Sequence, residues 1–241
     1  MSEVVNVVCM KWGTKYPAIY VNNLASMVKR NLTLPYRFVC FTDDATGLDD
    51  GIEILPLPVI NVPPKYDVSP WRKLGMFSKE LGDLKGKTLF LDVDVLITGS
   101  LDDFFTHSDK FCIIENWTQK GQGIGNSSVY CFTVGKHIDV LEHYNENMDN
   151  VLSSYDNEQM YLSKKIGDIV YWPDEWCRSF KRHLMPKGIL KYFMKPSKPD
   201  AQTRIVVFHG RPEIPEALNG GFHGSWRKFV RACPWISDLW R

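Results

Sequence analysis

The stretch Lys87-Thr-Leu-Phe-Leu-Asp-Val-Asp-Val-Leu-Ile-Thr98 decides how the chain is read. Its apolar run, Thr88 to Leu91, predicts a buried strand that ends in two acids, Asp92 and Asp94, separated by Val93. In an extended backbone, side chains two residues apart leave on the same face, so both carboxylates are expected to meet one ligand. Two carboxylates aimed at one point repel unless a cation lies between them, and a hard divalent ion carrying phosphate oxygens suits that place. The competing reading has one acid capping the following turn and the other in solvent.

Upstream, strand and helix alternate. Val4 to Met10 is a β-branched run, and residues 17–29 carry Ile19, Leu24, Met27 and Val28 at helical spacing. Tyr36-Arg-Phe-Val-Cys-Phe41 reads as a second strand closed by Thr42-Asp-Asp44, and Ile52 to Leu55 as a third. Pro56, Pro58, Pro63 and Pro64 force an extended loop, after which Trp71 to Leu81 predicts a helix leading to the acidic strand. This β-α-β order predicts an open α/β sheet, mostly parallel, with ligands outside the carboxyl ends of its strands. Trp12 to Thr14, Thr42 to Asp44 and Asp92 to Asp94 each follow a strand, so all three should gather on one rim.

Downstream the texture changes. Phe111 to Ile114 and Ser128 to Val134 read as strands flanking Gly121-Gln-Gly-Ile-Gly125. That loop is not a dinucleotide fingerprint, because the glycine spacing is wrong and a strand follows it; it reads as backbone bending beside a ligand, or as a plain loop. Helices are expected over 136–151 and 156–165, with a short strand from Asp168 to Tyr171. Residues 178–198 are basic and aromatic, the pattern of a solvated face. A last apolar run, Ile205 to Phe208, enters His209-Gly-Arg-Pro212. No repeat or linker divides the chain, so 241 residues are read as one domain.

The balance of the chain excludes several classes of function. A net charge of +1 gives nucleic acid no electrostatic footprint. No apolar stretch approaches the roughly 20 residues that span a bilayer, and MSEVVNVVCMKWG, with an acid at position 3, reads as a first strand and not as a signal peptide. Six cysteines without a CxxC pair read as reduced core thiols, which fits a cytoplasmic setting; the sequons at Asn31, Asn116 and Asn126 carry little weight there. Eight tryptophans, with Trp226, Trp235 and Trp240 in the tail, leave open an acceptor platform or a membrane-facing edge beside their ordinary place in a core.

A first strand near residue 4, Asp-Val-Asp after a strand near 90, Asn-Ser-Ser near 126, Glu158-Gln159 opening a helix and Phe208-His-Gly210 after a late strand resemble the A-type glycosyltransferases, in particular the family 8-like group that uses nucleotide diphosphate sugars. The resemblance spans about residues 4–212. It implies a nucleotide-binding half over about 1–100, a donor-sugar and acceptor half over about 101–212 and a tail over 213–241, as a single A-type, Rossmann-like domain with its smaller acceptor-side region in the second half. The implied activity is transfer of a hexose from a donor, UDP-linked in this group, to a hydroxyl of a carbohydrate or glycolipid-type acceptor, with retention of configuration. Peripheral membrane contact is compatible with such an acceptor.

Residue by residue, the resemblance implies that Asp92 and Asp94 hold Mn2+ (or Mg2+) against the diphosphate, with Asp94 the firmer ligand and Asp92 shared with the ribose, and that His209 supplies a nitrogen ligand, which suits manganese better than calcium. Lys73 resembles the basic residue facing the donor; Trp12, Thr14 and Asp43 bracket the nucleoside; Asn126 and Ser127 contact the donor sugar. Relatives read Asp-Gln or Asp-Glu-Gln where this chain reads Asp156-Asn-Glu-Gln159, leaving open whether Asp156 or Glu158 faces the sugar beside Gln159. The late His-x-x-Gly-x-x-Lys-Pro pattern is also broken, so Arg211 is the nearby cation for the diphosphate, and Ser179-Phe-Lys-Arg182 is a second segment that could fold over the donor.

Two other classes compete. Asp92-Val-Asp-Val95 satisfies the acid string of haloacid-dehalogenase-type phosphatases, in which the first Asp is the nucleophile, although that string belongs to a first strand. The other is a catalytically inactive protein of transferase fold that holds a sugar nucleotide or glycan without turning it over.

Overall fold

A computed structural model describes residues 4–241; Glu3, the acid of the N-terminal reading, lies outside the described residues. Its centre is a seven-stranded sheet made of β1 (Val5–Lys11), β2 (Tyr36–Thr42), β3 (Glu53–Leu55), β4 (Lys87–Leu91), β6 (Phe111–Glu115), β7 (Gly125–Thr133) and β8 (Ile169–Tyr171). Their order is β3-β2-β1-β4-β7-β6-β8, and only β7 runs against the rest. A second sheet of β5 (Val95–Ile97), β10 (Ile205–Val207) and β9 (Cys177–Ser179) has β10 in the middle, antiparallel to β5 and parallel to β9. A small hairpin pairs β11 (Gly221–Phe222) with β12 (Phe229–Val230).

β1 is wholly buried because both of its faces are covered. Val7 and Cys9 face helix α1 (Ile19–Asn31), whose Leu24, Met27 and Val28 are fully buried, and this core runs on into the second sheet. Val8 and Met10 face the opposite core, built with Trp71, Leu74 and Met76 and with helices α2 (Ile138–Glu146), α3 (Met148–Ser154) and α4 (Glu158–Ile166). Helix α5 (Ile214–Asn219) opens the tail, which folds back on α1: Trp240 meets Tyr20 edge-on at 5.3 Å, and Arg30 donates to the Leu239 and Arg241 carbonyls.

Three expected elements differ in detail. The helix predicted over Trp71–Leu81 is a 3-10 turn over Pro70–Phe77. Gly75 lies within it, and a Cβ there would stand 2.9 Å from Pro58, so the proline-rich strap packs where a side chain would otherwise project. The single helix expected over 136–151 breaks at Asn147, whose N–H bridges the His143 and Tyr144 carbonyls and whose side chain also donates to His143. The acidic stretch is not extended: residues 92–94 form a turn that carries the chain from β4 of the large sheet to β5 of the small one.

Candidate active site

The turn at 92–94 projects both acids into a cleft of about 630 Å³ at the carboxyl ends of β1 and β4. Lys73 lies 2.7 and 2.8 Å from the two carboxylate oxygens of Asp92 and donates to the Ser127 carbonyl at 3.4 Å. Burial would lower the Lys73 pKa, but Asp92 and Glu158 raise it above its ordinary value, so the ammonium stays charged although only 7% of the residue is exposed.

Asp94 is in the opposite situation. Burial and the neighbouring Asp92 push its pKa up to about 7, against the opposing pull of the Tyr16 hydroxyl and Lys73. Tyr16 donates to it at 2.6 Å, and burial beside Asp94 holds the phenol protonated far above its ordinary range. A carboxyl reluctant to ionise next to a second carboxylate marks a place where a cation would be welcome.

A bulge builds the opposite wall. β6 and β7 pair regularly as far as Ile113 with Tyr130, then shift so that Ile114 faces Asn126, and residues 127–129 have no partner on β6. Asn126 Oδ1 accepts the Ser128 N–H across this bend. Ser127 thereby reaches α4, where its hydroxyl donates to Glu158 at 2.6 Å, and Gln159 Oε1 accepts from the Ser127 N–H at 3.4 Å. α4 begins where it does because Asn157 caps it, accepting the Met160 N–H through its side chain.

The third side comes from the second sheet. Phe208 N–H donates to the Asp94 carbonyl, which places His209 after β10 at the cleft. Its Nε2 lies 2.6 Å from the buried Ser179 hydroxyl, and its ring stacks on Trp117 at 5.6 Å. Burial, with Lys181 and Arg182 nearby, lowers its pKa to about 4, so the imidazole is neutral at pH 7.

Of the residues singled out in the sequence, Trp12, Thr14, Lys73, Asp92, Asp94, Asn126, Ser127, Glu158, Gln159 and His209 line this one cleft. Three stand outside its lining. Asp43 is exposed and accepts the Gly13 N–H at 3.1 Å, tying together the loops after β1 and β2. Asp156 is exposed one residue before the cap of α4. Arg211 pairs with Glu216 at 2.8 Å. In the basic stretch, Phe180 is buried against Phe208, while Lys181 and Arg182 face solvent.

Tyr16 and Asn157 also line the cleft and were not foreseen. Asn157 had a readable signal, as an Asn immediately before a helical run. Tyr16, two residues beyond Thr14, gave none.

Among the described residues, no three His, Cys, Asp or Glu side chains are gathered as a ready metal cluster. Asp92 is turned to Lys73, Asp94 to Tyr16 and His209 to Ser179. The donor chemistry nevertheless fits a divalent ion: two crowded carboxylates and a neutral imidazole around one cleft.

The sheet order, the lone reversed strand and the cleft at the acidic turn define the A-type glycosyltransferase fold. The galactosyltransferase LgtC, solved with donor and acceptor sugar analogues, superposes with a TM-score of 0.60 at 14% identity, covering 97% of this chain and 94% of LgtC. An active-site variant of LgtC gives 0.61 at 13% identity over the same spans. The glycosyltransferase GlyE of Streptococcus pneumoniae TIGR4 gives 0.56 at 13% identity over 93% of this chain and 57% of GlyE. No protein-family model matches the sequence, and no curated protein matches it.

Proposed function

We propose that the protein is a metal-dependent glycosyltransferase that moves a hexose from a nucleotide diphosphate sugar to an acceptor hydroxyl. The observation that carries this reading is the convergence of Asp92, Asp94, Lys73, Glu158, Gln159 and His209 on one cleft beneath an A-type sheet. The phosphatase alternative requires its acids after the first strand, whereas here they follow β4.

Asp94, Asp92 and His209 would hold Mn2+ or Mg2+, with Tyr16 still donating to Asp94 and Lys73 still beside Asp92. The bound ion would neutralise charge on the departing diphosphate. Lys73, fixed beside Asp92, places a permanent positive charge on the same side of the cleft. Glu158 and Gln159, locked against the bulge at Ser127, face the cleft from α4 and would orient the donor sugar and steady positive charge at its anomeric carbon. Trp12 and Thr14, after β1, would receive the nucleoside. The resemblance supports a uridine diphosphate donor and retention of configuration.

A thermal-shift and turnover screen of nucleotide sugars, each with and without Mn2+, tests the reading. Stabilisation and donor hydrolysis that need both components and vanish in Asp94→Ala are expected. Binding of UDP and Mn2+ with no turnover of any donor would instead make the protein a binding module. NMR of the product anomer tests retention.

A further inference from the structure

Every exposed Phe and Trp side chain among the described residues lies in two segments, 180–198 and 217–231. Phe193 is 71% exposed, Trp226 65% and Phe222 64%, and Ile189, Leu190 and Met194 stand out beside them. The two segments are joined in space. Tyr192 stacks on Phe229 at 5.1 Å and donates to the Trp226 carbonyl at 2.7 Å, Arg231 donates to the Tyr192 carbonyl, and Phe222 packs on Phe229 at 4.7 Å. Together they carry nine lysines and arginines and no aspartate or glutamate, in a protein whose net charge is only +1.

Large apolar side chains left in water among unbalanced cations need a partner that is apolar inside and anionic at its face. A second copy of this chain would set cations against cations. Nucleic acid would satisfy the charge but would leave Ile189, Leu190 and Met194 without a partner.

We infer that this joined surface docks the protein on an anionic membrane, with Phe193, Trp226 and Phe222 entering the interface and the surrounding lysines and arginines meeting lipid phosphates. The surface also reaches the cleft. A methyl group on Gly210, which lines the cleft, would stand 3.5 Å from Lys181 Nζ, and Lys228 is close enough to help lower the Lys181 pKa.

The test is co-sedimentation of the full chain with phosphatidylcholine vesicles prepared with and without phosphatidylglycerol. Binding to the anionic vesicles alone, weakening as salt rises, is expected. Phe193→Ser with Trp226→Ser should reduce it on the order of tenfold or more. Lys187→Glu with Lys195→Glu should reduce it on the order of five-fold for each cation removed. All four positions are exposed and outside the cleft, so melting temperature and donor hydrolysis in solution should stay at the wild-type level. Vesicle binding needs neither donor nor metal, so a failed donor screen leaves this result standing. The inference is overturned by a wild-type protein that ignores anionic vesicles, by binding that neither pair of substitutions weakens, or by capture of RNA or formation of a dimer in place of vesicle binding.

Discussion

Tyr16 Oη donates a 2.6 Å hydrogen bond to Asp94 Oδ2, tying the loop after β1 to the turn after β4. The phenol stays protonated at neutral pH, so it acts as a fixed donor that aims one carboxylate oxygen. Its ring is held in turn by Tyr20, 4.9 Å away.

Tyr16→Phe keeps that ring packing and deletes the hydrogen bond. A charge-assisted bond of this kind is worth roughly 1.5–3 kcal/mol, so the half-saturating Mn2+ concentration for donor turnover should rise on the order of tenfold or more. Asp94→Ala should cost on the order of a hundredfold or more in kcat. Mn2+ titrations of initial rates check both; an unchanged metal requirement in Tyr16→Phe would remove the positioning role.

Asp94 makes the pH dependence specific. Its value in the folded protein, about 7, lies above the ordinary 3.8, so the folded state binds the proton more tightly than the unfolded chain does. This group therefore supports the metal-free fold most at low pH, and that support is lost as pH rises towards about 7. Metal must displace the same proton, so apparent Mn2+ affinity should fall about tenfold per pH unit below that value and level off above it. Asp94→Asn should melt a few degrees higher than wild type at pH 8 while losing stabilisation by Mn2+. Calorimetry across pH measures both arms.

Lys73 sits among three acids, Asp92, Asp94 and Glu158. Lys73→Met leaves Asp92, a half-buried carboxylate, without its ion-pair partner, which should cost about 1–3 kcal/mol. Adding Asp92→Asn should recover most of the stability, as read by urea unfolding, but none of the donor turnover. Recovery of turnover in the double variant would remove both Lys73 and Asp92 from the reaction.

Ser127 and Glu158 share a 2.6 Å hydrogen bond and are 3% and 4% exposed. Ser127→Ala frees Glu158 to shift, which should lower kcat on the order of tenfold with a smaller change in KM. Glu158→Gln keeps the contact and removes the charge, so it separates positioning from electrostatic support; a full loss of activity there, with near-normal activity in Ser127→Ala, would assign the effect to charge.

Gly125 tests the bulge without reference to any activity. A Cβ at this position would lie 2.6–2.9 Å from three side-chain atoms of Ile113, which is fully buried and β-branched. Gly125→Ala should destabilise the fold by about 1–3 kcal/mol, and Ile113→Val in the same chain should return part of that. Thermal melts of the single and double variants decide it.

The alternation of β-branched runs with helical spacing gave away the large sheet up to β4, because strands covered on both faces must be apolar throughout. The loops after those strands were legible for the same reason, since chain ends of strands share a rim. Lost to the sequence were contacts that depend on chain reversals. The turn at 92–94 looked extended, because an Asp-Val-Asp string is compatible with either conformation. Tyr16 could not be assigned, because its partner lies 78 residues away. Arg211 was singled out for its nearness to His209 along the chain, while Glu216, one turn into α5, takes its guanidinium. The choice left open between Asp156 and Glu158 turns on which residue caps α4, and Asn157 does so.

The passage of the chain from one sheet to the other at residues 92–94 also bears on how the protein is made. All seven strands of the large sheet are complete by Tyr171, but β5 waits for β10, at residues 205–207, as its neighbour. Synthesis runs from the N-terminus, so the growing chain can close its main sheet well before His209 emerges. A ribosome-bound chain stopped after β8 should resist protease over residues 5–42 yet gain nothing from UDP and Mn2+, making ligand response the last property the newborn protein acquires.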